Sequence, residues 1–358
     1  MAIFWPKIRD SIKSVMSGGN SEVAPTQYVS GGSDSEKLQL TLHKGNTQVK
    51  GCPHRDVSAS GSLSDWATLF RLGNNLTGVF GVFLGSIIAL GEVPQGLLAQ
   101  ITILHASSVL FFMCSWNALN DIYDFEIDLV NRPDRPLPSG RISLNNAKSA
   151  TAMTMLSSIL SIFICYWLIS GSNPANGFEV SDWLPSLAIW IVALLMLINY
   201  EFPFGLRLKD KGLPGNIAIS ISVGLVVVFG ASAVFEPLSQ KAWSLFFVGI
   251  FYNTSREIIK DVQDMEGDEG RNTLAMRIGP ENARTVAWVT SILALASVLL
   301  PFAVGIFPPV HVVLVIPAVM TLMMVKGRII IGEDEAASSL LKKSMLLCLA
   351  ALLTSSLI

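Results

Sequence analysis

Charge is scarce in this sequence. Asp, Glu, Lys and Arg together make up only 15% of its 358 residues, against roughly 25% in soluble globular domains. An ordinary soluble domain is therefore excluded. Cysteine is rarer still: Cys52, Cys114, Cys165 and Cys348 show neither a CxxC pair nor metal-ligand spacing. The last three lie in apolar segments and read as small buried hydrophobes. The four histidines (His43, His54, His105, His311) are scattered and suggest no metal site. No apolar h-region with a small-residue cleavage site follows the N-terminus, so a secretory signal is not expected. Asp10, Glu22, Asp34 and Glu36 argue against a transit peptide, which is normally poor in acids. The net charge of −2 is too small to say anything about partners.

Apolar residues are what the chain has in abundance, at 51% of the total, with a mean hydropathy of +0.52. Residues 1–64 differ from the rest, being rich in Ser, Gly, Thr and Asn without sustained periodicity. They read as a mostly disordered tail, whose opening MAIFWPKIRDSIKSVM fits either a short amphipathic surface helix or a frayed terminus. From residue 65 onward, nine apolar segments approach the ~20 residues that cross a bilayer. They lie near 66–91, 97–120, 145–170, 182–200, 214–235, 240–259, 284–305, 309–328 and 340–358. The expected fold is an all-α integral membrane protein. Alternate loops hold 16 basic residues, whereas the opposite set holds only Lys241. By the positive-inside rule, the N-terminus and the basic loops face the cytoplasm.

Two acidic clusters stand out. In NALNDIYDFEID, Asp121, Asp124 and Asp128 sit three and four residues apart, with Asn117 four residues before the first. At about 100° per residue, all four share one helix face. Asp261, Asp264 and Asp268 repeat the spacing after the sixth segment, on the same side of the membrane, in the manner of a parallel internal repeat. A single acidic loop is ordinarily just solvated. Two matched sets with basic neighbours (Arg132 and Arg135; Arg256 and Lys260) point to chemistry. Mutually repelling carboxylates become sensible around a hard divalent cation. Mg²⁺ in particular is usually held by one or two carboxylates together with waters and substrate phosphates. Acids for metal, bases for phosphate and apolar surroundings suggest a diphosphate attached to a lipid-like tail, its departure assisted electrostatically. Carboxylates in membrane proteins also mark ion pathways, which keeps a cation-coupled transporter as an alternative. Transport sites, however, usually lie near the midplane rather than at helix ends.

NDIYDFEID resembles the NDxxDxxxD motif of the UbiA superfamily of intramembrane prenyltransferases, and NRPDRPLPSGRIS resembles that family's arginine–proline loop. DMEGD resembles the second aspartate motif. RLGNN supplies Arg71 and Asn74 for the early R-x-x-N element, and YEFPFGLRLKDKGLPGN supplies Tyr200, Lys209 and Asn216. The spacing from Tyr200 to Lys209 is longer than the compact YxxxK of many members. The resemblance covers roughly residues 65–358. It implies nine transmembrane helices around a central cavity, and transfer of a polyprenyl group from an isoprenyl diphosphate to a lipophilic acceptor through an allylic cation. It further implies two Mg²⁺, one on Asp121, Asp124 and Asp128 and one on Asp264 and Asp268, with Asp261 a ligand or acceptor-side base. Asn120, Arg135, Lys260, Lys209, Arg207, Arg71, Asn74 and Tyr200 would serve the diphosphate. The expected partners are the two substrates and the lipid bilayer, with no nucleic acid. The wording REIIKDVQDMEGDEGRNTLAMRIG is most similar to the archaeal-lipid branch, chlorophyll synthases come next, and aromatic acceptors such as homogentisate or hydroxybenzoate stay open. A UbiA-type terpene cyclase, ionising the same diphosphate and capturing the cation internally, is the enzymatic alternative.

Overall fold

The computed structural model describes residues 60–171, 179–265 and 272–358, and these are almost wholly helical. Of the expected polar tail, residues 1–59 lie outside the described residues, as does Asp268 of the second acidic cluster. The only β-type pairing among the described residues is an isolated antiparallel bridge between Ser60 and Ile142. In chain order the helices are α1 (Leu63–Leu69), α2 (Leu72–Leu90), α3 (Gly96–Tyr123), α4 (Phe125–Asn131), α5 (Leu144–Ser170) and α6 (Leu184–Glu201). They continue with α7 (Leu213–Ser232), α8 (Gln240–Gln263), α9 (Leu274–Ile278), α10 (Pro280–Ala303), α11 (Ile316–Ile330) and α12 (Asp334–Leu357). A single 3₁₀ segment precedes each of α6 and α11 (Val180–Trp183 and Pro309–Val315).

Nine long helices among the described residues follow the nine apolar segments. Eight are long and apolar enough to cross a membrane. The ninth, α8, is as long as its neighbours but carries Lys241, Arg256, Glu257, Lys260 and Asp261. Those charges lower its hydropathy, while packing against α7, α10 and α12 shields much of its length. The first segment begins later than expected because Arg71 adopts a left-handed conformation (φ 52°), which separates α1 from α2. The last begins earlier, at Asp334.

With little hydrophobic drive between helices in lipid, close packing relies on small residues. Here α2 and α7 cross backbone to backbone. A Cβ at Gly85 would collide with the Val227 carbonyl oxygen, and one at Gly230 with that of Val82. Alanines 283, 287 and 294 of α10 are fully buried. On the same helix, Ser291 shares a 2.8 Å hydroxyl contact with Ser255 of α8. Cys114, Cys165 and Cys348 are free and buried, as their apolar context predicts. Because neither backbone at the α2–α7 crossing can yield, Gly230→Ala is expected to lower stability by about 3 kcal/mol. A fall in the thermal unfolding midpoint in detergent checks this, and an unchanged midpoint would refute the crossing.

The short α1 is pinned beside the acidic end of the bundle. Asp65 caps its own helix through Ser62 and takes a 2.6 Å ion pair from Arg141. The Ser62 hydroxyl and N–H, with Arg141, hold the Asp65 carboxyl down from 3.8 to about 2. A carboxylate so lowered contributes fully above pH 3.8, and the contribution is lost as pH falls through about 2.

Candidate active site

The first acidic cluster is built on a helix that breaks without losing register. Asp124 ends α3 and begins α4, yet its N–H still bonds the Asn120 carbonyl (2.9 Å) and its carbonyl accepts from Asp128 N–H (2.8 Å). The i, i+4 ladder therefore passes through the break. Asp121, Asp124 and Asp128 remain on one side, all buried. The proline-rich stretch that follows folds back on itself, with Ile142 N–H on the Pro136 carbonyl (3.1 Å) and Leu137 packed beside Phe125 and Leu69. This return brings Arg135 to Asp128 at 2.6 Å and to Asp121 at 3.4 Å.

From the α1–α2 break, Arg71 reaches Asp121 at 2.6 Å and Asn120 Oδ1 at 3.1 Å. Its left-handed backbone is held from behind. Asn75 and Asn117 both donate to the Phe70 carbonyl, at 2.8 and 2.9 Å, and Asn117 also donates to Asn75 Oδ1. Asn74 itself is exposed, so the inward-facing asparagine is its neighbour Asn75. The R-x-x-N match names Asn74 for substrate, whereas the packing role behind Arg71 falls to Asn75.

The third wall is the connection between α6 and α7. Lys209 lies on the 3₁₀ turn Leu208–Asp210 and pairs with Asp124 at 3.0 Å and, more closely, with Glu201. Glu201, the last residue of α6, is only 2% exposed and was not anticipated from the sequence. Asn120 sits at the junction: Nδ2 donates to Asp124 (2.8 Å) and Glu201 (3.3 Å) while Oδ1 accepts from Arg71. Four carboxylates (Asp121, Asp124, Asp128, Glu201) thus meet three cations (Arg71, Arg135, Lys209), leaving one negative charge in excess. Tyr200, half-buried, immediately precedes Glu201.

The same connection continues to the second cluster. Asn216, in the first turn of α7, donates to Asp261 at 2.9 Å. Gly215 packs its α-carbon onto the Leu208 carbonyl, so the turn bearing Lys209 and the helix bearing Asn216 are in direct contact. Asp264 caps the C-terminus of α8, exposed and without an ion pair among the described residues. Two expected diphosphate cations have local partners instead. Lys260 pairs with Glu257 at 3.0 Å and Arg207 with Asp210 at 2.8 Å, each an i, i+3 contact. Among the described residues, no three metal-ligating side chains converge. Each carboxylate of the first cluster is engaged by a cation or by Asn120.

A helical bundle of membrane-spanning length, with charged groups gathered at helix ends, defines a multi-pass integral membrane protein. The family model for the UbiA prenyltransferase family matches residues 78–347. The chain belongs to that family and is a prenyltransferase. Among its relatives, a digeranylgeranylglyceryl phosphate synthase of Methanobrevibacter smithii is 29% identical over 81% of this chain and 96% of its own length. One of Methanopyrus kandleri is 32% identical over 75% and 92%. A solved structure from a study of digeranylgeranylglyceryl phosphate synthase in membranes superposes with a TM-score of 0.61 at 27% identity, over 82% of this chain and 98% of that one. A UbiA homologue of Archaeoglobus fulgidus, solved with GPP and Mg²⁺ bound, shares the fold at 16% identity and a TM-score of 0.50, over 80% of this chain and 99% of that one.

Proposed function

We propose that this prenyltransferase moves a polyprenyl group from an isoprenyl diphosphate onto the hydroxyl of a prenylated glycerol phosphate, at a site facing the cytoplasm. The observation that carries the reading is the Asn120-centred network, which holds three cations against buried carboxylates at the end of an apolar bundle. The names of the curated relatives support the acceptor class. The 16-to-1 asymmetry of basic residues supports the orientation.

The donor set is all carboxylate oxygen, the kind Mg²⁺ prefers, and offers few enough ligands to leave positions for water and phosphate. Asp121, Asp124 and Asp128, now spread over Arg71, Arg135 and Lys209, would close on one ion as those cations pass to phosphate, and Asp264 with Asp268 would hold another. Bound there, Mg²⁺ would neutralise charge on the departing diphosphate. Arg71, Arg135 and Lys209 exchange carboxylate partners for phosphate oxygens, which orients the allylic C–O bond. When that bond breaks, its electron pair leaves with the diphosphate. The acceptor oxygen then bonds the allylic carbon and loses its proton, for which Asp261, oriented by Asn216, is the assigned acceptor.

Incubation of the purified protein with geranylgeranyl diphosphate, with and without geranylgeranylglyceryl phosphate, followed by mass spectrometry, tests the reading. A prenylated adduct that forms only with acceptor and disappears in excess EDTA is expected. A hydrocarbon formed without acceptor would indicate a cyclase, and turnover persisting in EDTA would sink the metal assignment.

A further inference from the structure

The hairpin of α11 and α12 contributes none of the side chains of the acidic network. It bears an open groove of about 500 Å³ lined by Thr321, Met324, Leu340, Lys343, Leu346 and Leu347. Five of these six side chains present mainly carbon, and the sixth is a lysine. Lys343 and its neighbour Lys342 are exposed and have no acidic partner among the described residues. The hairpin's other charges are largely spent on one another. Arg328 pairs with Glu333, and Asp334 takes Arg284 at 2.6 Å. Lys326 lies over the Trp288 ring at 5.7 Å. What remains is Lys326, Lys342 and Lys343 against the single acid Glu335.

Depth decides what these lysines meet. The apolar part of α12 runs from Leu340 to Leu357, about 27 Å at 1.5 Å per residue and close to the ~30 Å thickness of bilayer hydrocarbon. Counted from Leu340, Lys342 and Lys343 lie about 3–5 Å along this stretch, exposed on the surface of the bundle. An exposed ammonium there is costly unless it snorkels to an anion at the interface. The anions present at that level on every side are lipid phosphates.

We propose that the α11–α12 groove is a binding site for one anionic phospholipid. Its phosphate sits on Lys343 with Lys342 beside it, and an acyl chain lies along Met324, Leu346 and Leu347. The proposal does not depend on the reaction assigned above.

The full-length protein in detergent, titrated with phosphatidylglycerol or phosphatidylcholine of matched acyl chains and read by native mass spectrometry, tests this. Phosphatidylglycerol should be retained preferentially. At about 1 kcal/mol per lysine near the surface, Lys342→Gln/Lys343→Gln should weaken it about 30-fold. Lys342→Arg/Lys343→Arg should keep the preference. Circular dichroism and elution volume confirm that each variant is folded. Equal retention of the two lipids by the wild type would overturn the proposal, and so would undiminished phosphatidylglycerol binding by the glutamine variant.

Discussion

Lys209→Met is expected to cost both stability and turnover. Lys209 and its two partners are almost entirely removed from solvent, with Glu201 the most buried. Removing one member of a buried ion pair typically costs about 3–5 kcal/mol, because the remaining charge is stranded. Here two carboxylates, Asp124 and Glu201, lose their shared cation at once, and the neutral Asn120 is left between them. Transfer should fall at least 100-fold, the order expected when one preorganised donor to a developing oxyanion is lost. The two effects separate in the double variant Lys209→Met/Glu201→Gln, which no longer buries the stranded Glu201 charge. Its thermal midpoint should recover most of the loss while its activity remains low. Recovery of activity along with stability would reduce Lys209 to a structural residue.

Asp264→Asn makes the complementary case, a large catalytic effect with no structural one. Asp264 is exposed at the end of α8 and has no ion pair among the described residues, and surface substitutions of this kind usually stay within ~0.5 kcal/mol. If Asp264 carries metal at the diphosphate, turnover should drop about 10³-fold, equivalent to roughly 4 kcal/mol of transition-state stabilisation. Steady-state transfer assays across a Mg²⁺ series, beside thermal unfolding of the same preparations, measure both. Turnover within fivefold of wild type would remove Asp264 from the site.

Much of this architecture was legible before any coordinates. Apolar segments of membrane-crossing length are written directly in composition, and three-and-four spacing places Asp121, Asp124 and Asp128 together because the ladder survives the break at Asp124. The contacts the sequence did not display share a physical reason: side chains choose partners by three-dimensional proximity, and a sequence displays only the local ones. Lys260 and Arg207 resemble phosphate ligands by neighbourhood, yet each has an acid three residues away, and that spacing was the available signal. Glu201 escaped notice because one acid beside aromatics looks like an ordinary helix end. Its clue was its place as the acid closing an apolar segment shortly before Lys209. The break at Arg71 depends on asparagines from α2 and α3 closing on one carbonyl, which no local pattern displays.

The segment from Lys209 to Asn216 touches Asp124 at one end and Asp261 at the other. Those two carboxylates are far apart along the chain, yet the contacts joining their clusters run through a stretch shorter than three helical turns. Its length matters as much as its chemistry. One added residue would swing the start of α7 by about 100° and carry Asn216 off Asp261 while Lys209 stayed in place. This stretch is thus a ruler: many of its side chains can change, but its residue count cannot.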